Sequence, residues 1–378
     1  MNMRNPFLIR EIQPQEPFCD RVIELKELTS HAKSFANVVL YSHRRYGKTS
    51  LMKRVQEGLQ KQGTTTIYAD FFGLVTIDEV AERLVKCLYT YCHEDESLFK
   101  KAMRAMKNWR PVIKPDPESG IEITVEQTTQ QGGLELLQET FSLFGSFIKD
   151  YSKGIHIVLD EFQEITNLKD SIKIEGVLRS QIQTHTNVSY FFVGSRRSML
   201  LDIFNEQKRP FYKSAINYAL GPLPRREAVE FIVNRFRDGG KKCPSQVAEM
   251  IYDKAAGYPY YIQRIPFEIW GQSDGKVITV KDYEASISSI VKTETPNYES
   301  ILSGLSIIQK QLLYSIAREP VPTPLNQKYM IRHRLTSAGS TQPALKKLMS
   351  LDLLEKRDDD GRYHVVDPFF ALYLAKAA

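Results

Sequence analysis

The chain is poor in cysteine, in long apolar runs and in surplus charge. Its 378 residues include four cysteines, Cys19, Cys87, Cys92 and Cys243, with no Cys-x-x-Cys among them and no histidine at ligand spacing. That scatter argues against a disulfide framework or a structural zinc site. No stretch reaches the roughly 18 apolar residues of a membrane-spanning helix, and the first ten residues, Met1 to Arg10, lack the apolar core of a signal peptide. A reducing, cytoplasmic setting without membrane contact is the expectation. The 51 basic and 45 acidic residues leave a net charge of +6, which permits nucleic-acid contact without arguing for it. Ordinary apolar and charged fractions, 42% and 25%, exclude global disorder.

What is present begins with Asn37 to Val55, which reads as a buried strand, a tight turn and the start of an amphipathic helix. Ser42-His43-Arg44-Arg45-Tyr46-Gly47-Lys48-Thr49 sits in the turn, where a phosphate-binding loop would lie. In such a loop, backbone N–H groups and a helix N-terminus surround the phosphates. The lysine adds a point charge, and the hydroxyl binds Mg²⁺. Ser42 stands where the usual pattern has its first glycine. The tripeptide alone also fits a surface turn at a helix N-terminus, so context decides.

The context is an alternation of strands and helices. Asp20 is a plausible N-cap for a helix with Val22, Leu25, Leu28, Ala32 and Phe35 on one face. Strands are expected over Thr64–Ala69, Ile155–Leu159, Val188–Val193 and near Ile216–Leu220. Helices are expected from Ile77 to about Cys92, over 134–149 and from Ile172 to Thr184. Cys87 and Cys92 are expected to pack in the core. Residues 109–132, with Pro111, Pro115 and Pro117, read as an insertion or flexible loop containing one exposed strand at Ile121–Glu126. The sum is a doubly wound parallel α/β domain over residues 1–224.

After Gly221-Pro222-Leu223-Pro224 the strand pattern stops, and residues 225–295 read as a helical subdomain. Residues 296–378 carry helices at about 306–317 and 341–352, then two alternating segments around Asp358-Asp359-Asp360-Gly361. Helices followed by a β-ribbon predict a winged helix-turn-helix.

A phosphate loop needs partners. The strand ending at Leu159 delivers Asp160 and Glu161 at its carboxyl end, where open α/β sheets bind ligands. Asp160 is the candidate metal ligand beside Thr49, and Glu161 the candidate base that polarises water. Taken alone, the pair reads equally well as solvated acids before a helix. The next strand ends in Gly194-Ser195-Arg196, making Ser195, then Arg196, the candidates to sense the γ-phosphate.

Several segments together resemble the archaeal-type ATPase family, related to the STAND branch of AAA+ P-loop ATPases. Phe18-Cys19-Asp20-Arg21, followed by Glu24-Leu25, is similar to the family's opening motif. The loop through Ser50 and Leu51, with its double arginine, resembles its Walker A motif, and Asp160-Glu161-Phe162-Gln163 its Walker B. Gly257-Tyr258-Pro259 resembles the Gly-x-Pro of the helical lid, and Asp367-Pro368-Phe369-Phe370 a motif near the family's C-terminus. The resemblance spans about residues 18–370. It implies that Arg44, Arg45, Tyr46, Gly47, Lys48, Thr49 and Ser50 hold the nucleotide phosphates, and that Phe18, Arg21 and Pro259 lie near the adenine. Where family members place an arginine before the last strand, this chain reads Arg209-Pro210-Phe211-Tyr212-Lys213. Arg209 or Lys213 would then be the cation acting in trans. A lysine cannot make the bidentate contact of an arginine, so slow turnover is expected.

The expected function is therefore a Mg²⁺-dependent ATPase that binds ATP or ADP as a nucleotide-controlled switch, with a homo-oligomer in the ATP state left open. The alternative is a DNA-binding regulator, similar to replication initiators, using Lys346 and Lys347 on the helix Thr341–Ser350 with Arg332, His333 and Arg334 upstream. The acidic wing tip weighs against it. A small-molecule kinase on the same loop is disfavoured, because Glu161 beside the metal-binding Asp160 suits water better than a second substrate.

Overall fold

The structure, a computed structural model, describes residues 4–13, 15–93, 95–116, 120–149, 154–357 and 360–376. Pro14 of the N-terminal arm, Pro117, and Asp358 and Asp359 of the expected wing tip lie outside them. The described residues fall into two compact units. One comprises those within Met1–Glu11, Pro17–Asp20 and Pro222–Ala378, the other Ile12–Glu16 and Arg21–Gly221.

The second of these is the α/β unit. Its elements are α1 (Val22–Lys33), β1 (Val38–Tyr41), α2 (Lys48–Gln60), β2 (Thr65–Asp70), α3 (Ile77–Cys92), α4 (Glu96–Ala105), β3 (Trp109–Asp116), β4 (Gly120–Gln127) and α5 (Gly133–Lys149). Then come β5 (Ile155–Asp160), a 3-10 turn at Phe162–Asn167, α6 (Ser171–Ile182), β6 (Val188–Gly194), α7 (Arg197–Asn205) and β7 (Ile216–Ala219). Five strands form one sheet in the order β2-β5-β6-β1-β7, every neighbouring pair parallel. Every residue of β5 and β6 is buried, as two-sided cover demands of central parallel strands. This is the expected P-loop α/β fold. In α3, Val80, Ala81, Leu84, Val85 and Leu88 are buried at three- and four-residue spacing, the stripe that seats a helix on a sheet.

Two local expectations change. Helix α1 begins at Val22 with Arg21 at its cap, in the left-handed region at φ 70°, and no side chain caps it. Asp20 is not the cap: it too is left-handed, at φ 53°. Residues 109–132 are no loose insertion, because β3 and β4 pair as an antiparallel hairpin that sets Ile113 opposite Ile123 and Pro111 opposite Val125. Trp109, Ile123 and Val125 are buried, and Trp109 Nε1 donates to Thr140 Oγ1 on α5 at 2.9 Å. The prolines fit because each strand of a two-stranded ribbon has a free edge, where a missing N–H costs no ladder bond.

The other unit is helical with one small ribbon. It holds α8 (Arg225–Asp238), α9 (Ser245–Ala255), α10 (Pro259–Gln272), α11 (Val280–Ser303), α12 (Ile307–Arg318), α13 (Gln327–Arg332), α14 (Ala338–Ser350), β8 (Leu354–Lys356), β9 (Tyr363–Val365) and α15 (Pro368–Lys376). The Gly-x-Pro segment has a plain backbone reason. Gly257 has φ 73°, and a Cβ there would meet Pro222 Cβ at 2.7 Å. Pro259 opens α10 in the first turn, where its missing N–H is no loss. Helices α12, α13 and α14 followed by the β8–β9 ribbon form the winged helix. Helix α14 starts earlier than the expected Thr341, because Ser337 and Ser340 form a capping box ahead of it. Within this unit the buried Glu355 of β8 accepts from Tyr258 Oη at 2.5 Å and from Arg357 Nε at 2.9 Å.

Candidate nucleotide site

The phosphate loop connects β1 to α2. Gly47 occupies the α2 cap at φ 76°, no side chain caps the helix, and no acidic residue lies in its first turn. The first N–H groups of an α-helix have no acceptor within the helix, and a helix start without a side-chain cap or an acidic first turn is the arrangement that receives an anion. Arg45 is also left-handed, at φ 66°, while Ser42 is not among the described residues with positive φ. Serine thus fits the first loop position without the backbone strain that would call for glycine. Its carbonyl and hydroxyl each accept from Lys48 Nζ at 3.3 Å, and the His43 carbonyl accepts at 3.0 Å. Lys48 is buried, so its ammonium is held in the loop, close to where phosphate oxygens would bind.

Arg44 and Arg45 are exposed, and Tyr46 is buried with its ring 5.9 Å from that of His43. Ser50 Oγ accepts from the Ile12 N–H at 3.2 Å, which ties the N-terminal segment to α2.

Topology supplies the other half. In the sheet order, β6 separates β1 from β5, so the residues after β6 lie between the loop and the acids. Thr49 Oγ1 donates to Asp160 Oδ2 at 3.0 Å. The Glu161 N–H donates to Asp160 Oδ1 at 2.9 Å. Burial, first among its influences, pushes the Asp160 carboxyl above the usual carboxylate range. A buried carboxylate beside a hydroxyl is an all-oxygen donor set suited to a hard divalent cation. Among the described residues no group of three or more His, Cys, Asp or Glu could hold a metal. A cation here would thus rest on Thr49 and Asp160, with phosphate and water completing its shell.

Glu161 is left-handed at φ 50°. Its Oε2 accepts from Ser195 Oγ at 2.9 Å and from Gln163 Nε2. The structure thus brings together Lys48, Thr49, Asp160, Glu161 and Ser195. Arg196 instead lies 3.7 Å from Glu164. Arg209 is bound through Nε to Glu175 Oε2 at 3.0 Å and through Nη2 to Oε1, with Glu175 wholly buried. Lys213 is exposed, its Nζ 5.3 Å from the Tyr212 ring centre.

Arg21 is buried, and donates to Glu24 Oε1 at 2.6 Å and to the Gly221 carbonyl at 2.7 Å. It joins the start of α1 to the chain after β7. Phe18 and Pro259 belong to the helical unit.

Two residues escaped the sequence reading. Tyr68 on β2 donates its hydroxyl to Asp160 Oδ2, and burial, then the Asp160 charge, pushes the phenol well above its usual range. The parallel register that pairs Asp70 with Asp160 places Tyr68 near it. A tyrosine in an alternating strand carries no such signal. Gln163 is the other: its motif is legible, but its contact depends on the turn after β5.

Comparison with known proteins agrees with this fold. A family model described as an ATPase domain predominantly from Archaea matches residues 18–265. One described as a probable winged helix domain matches residues 296–376. An uncharacterized protein of Methanocaldococcus jannaschii is 22% identical over 375 residues, which is 94% of this chain and 68% of that protein. Among solved structures, the Walker-type ATPase of Pyrococcus abyssi aligns with a TM-score of 0.70 at 17% identity, covering 98% of this chain and 99% of that one. The Aeropyrum pernix ORC1 protein in complex with DNA aligns at 0.51 and 13%, covering 97% and 93%. At these identities the structural likeness is one of fold. Among the described residues no helix is long and apolar enough to cross a membrane.

Proposed function

This chain belongs to the family of ATPase domains found predominantly in Archaea, and we propose that it binds ATP with Mg²⁺ and hydrolyses it slowly as a nucleotide-controlled switch. The observation that carries the reading is the 3.0 Å bond between Thr49 and Asp160, 111 residues apart. It joins the phosphate loop to the acid strand, with Glu161 and Ser195 bonded beside it.

In this reading the backbone of 44–48 and the Lys48 ammonium hold the phosphates, and Arg44 and Arg45 add charge at the mouth of the loop. Thr49 and Asp160 would hold Mg²⁺, which when bound would neutralise charge on the β- and γ-phosphate oxygens. Glu161 orients and polarises the attacking water. Ser195 contacts the γ-phosphate, with Arg196 the second candidate for that contact. Phe18, Arg21 and Pro259 are assigned to the base. A homo-oligomer in the ATP state would add a cation in trans. Lys213 suits this better than Arg209, whose guanidinium is engaged by Glu175. Switching requires contacts that differ between the ATP and ADP states, so binding energy is converted only where those contacts differ.

Radiolabelled ATP hydrolysis by the wild type and by Glu161→Gln tests the reading. A drop of about 100-fold or more is expected on removing a general base. Equal rates above a no-enzyme blank would remove Glu161 from the role.

A second reading, nucleotide-controlled DNA binding, is supported by the winged helix, where Lys346 and Lys347 are both exposed on α14. Arg332 and His333 weigh less, since both are bonded to Glu319. Duplex titration at several salt concentrations decides it. Binding with a steep salt slope, reduced by Lys346→Ala with Lys347→Ala, is the expected outcome if DNA is the partner. A flat slope or no binding removes it.

A further inference from the structure

Gln163 is fully buried in the turn that follows Glu161. Its Nε2 donates to Glu161 Oε2, while its own Oε1 is buried with no hydrogen-bond partner. For packing alone an apolar side chain would serve better, since a buried amide oxygen left unpaired is destabilising. The orientation of the amide is set by chemistry, because a carboxylate only accepts and the NH₂ group must face it. Room for that amide comes from Gly194, where an added Cβ would lie 2.0 Å from Gln163 Oε1. The last residue of β6 therefore admits the side chain that holds Glu161, and the next residue, Ser195, donates to the same oxygen at 2.9 Å.

Both donors converge on Oε2, and among the described residues Oε1 of Glu161 accepts from no side chain. The two donors are not equivalent. The Ser195 hydroxyl carries one proton, and it cannot donate to Glu161 and to a γ-phosphate oxygen at once. The amide of Gln163 is enclosed in the core and, among the described residues, donates to Glu161 alone. We propose that Gln163 is the positioning residue of Glu161: it keeps the carboxylate anchored by Oε2, with Oε1 turned to water, when the Ser195 hydroxyl leaves for the γ-phosphate. This rests on the assignment of Glu161 as the group that polarises water.

Gln163→Met removes the donor while nearly keeping the shape, and Gly194→Ala displaces the amide without altering it. Each is measured in the full chain for thermal midpoint, for calorimetric affinity toward a non-hydrolysable ATP analogue and toward ADP, and for steady-state hydrolysis. Both variants are expected to bind the analogue within about twofold of wild type and to keep KM. Their kcat should fall about tenfold to hundredfold, as expected when a reacting group loses its fixed position. In a Glu161→Gln background, Gln163→Met should cause no further loss, because it acts only through that carboxylate. Ser195→Ala should instead weaken the analogue relative to ADP. The inference is overturned if Gln163→Met leaves kcat unchanged, lowers analogue affinity as much as kcat, or adds a further loss to Glu161→Gln. Gly194→Ala decides the matter on the same criteria if Gln163→Met does not fold. If Glu161→Gln itself hydrolyses at the wild-type rate, the underlying functional reading fails. If that variant is inactive and Gln163→Met is normal, only the present inference fails.

Discussion

His156 lies on β5 with its side chain wholly buried, Nδ1 2.8 Å from Ser189 Oγ and the ring 4.4 Å from that of Phe191. Burial lowers its pKa to about 3. His185 is lowered by burial to about 4, with a smaller contribution from the Lys149 charge. Both rings are neutral in the folded protein at neutral pH, and both take up a proton in the unfolded chain near pH 6.5. Below that value the unfolded state binds more protons, so stability falls as pH drops from about 6.5 toward 4. The slope is about 1.4 kcal/mol per pH unit for each histidine. Urea unfolding at pH 7.5, 6 and 5 measures it. His156→Leu combined with Ser189→Ala, which removes the titrating ring and its partner together, should flatten the acid side by about half. An unchanged slope would mean that His156 does not contribute to it. Residues at the site obey the same rule of burial with a partner: Lys48 spends its donors on loop acceptors, and Asp160 takes bonds from Thr49, Tyr68 and the Glu161 N–H.

At the scale of elements, the β3–β4 hairpin is where local pattern misled most. Three prolines within a short stretch read as a broken chain, yet the alternation of Trp109, Pro111, Ile113 and Pro115 against Ile121, Ile123 and Val125 gives the ribbon one apolar face. Its inner end is anchored at Trp109, whose ring is buried and whose N–H reaches Thr140 on α5. Trp109→Ala should therefore cost about 3–5 kcal/mol in denaturant unfolding. A loss under about 1 kcal/mol would show that the hairpin does not share the core of the α/β unit. The inner parallel strands β1, β5 and β6 were read correctly because their apolar runs, unlike the hairpin's alternation, need no partner to be recognised.

At the scale of the molecule, the bond between Tyr258 and Glu355 joins the Gly-x-Pro segment to the wing within one unit. Glu355 is buried, and it also accepts from Arg357 Nε. Tyr258→Phe would leave a buried carboxylate short of one charge-assisted bond, about 1.5–3 kcal/mol. Limited proteolysis should then cut faster within the β8–β9 ribbon while the α/β unit resists as before. Uniform acceleration across the chain would show that the bond supports global stability alone. For a nucleotide-controlled switch such a bond is the kind of contact through which helices α9 and α10 and the winged helix would move together.

The amino-acid sequence by itself determined the local and the compositional: the loop at Ser42–Thr49, the paired acids at the end of an apolar strand, the glycine and proline between α9 and α10, and the ribbon after α14. Each is written in contiguous residues, as periodicity, turn chemistry or charge. Only the tertiary structure decided what lies beside what. Strand order set β6 between β1 and β5 and so put Ser195 against Glu161. The register of β2 against β5 brought Tyr68 to Asp160, and Gly194 made room for the amide of Gln163. Arg209, read from the sequence as a candidate for an external partner, was claimed by a buried Glu175. These contacts join residues from about thirty to more than ninety positions apart or depend on a missing Cβ. They follow from chain packing and close approach, which no local pattern encodes.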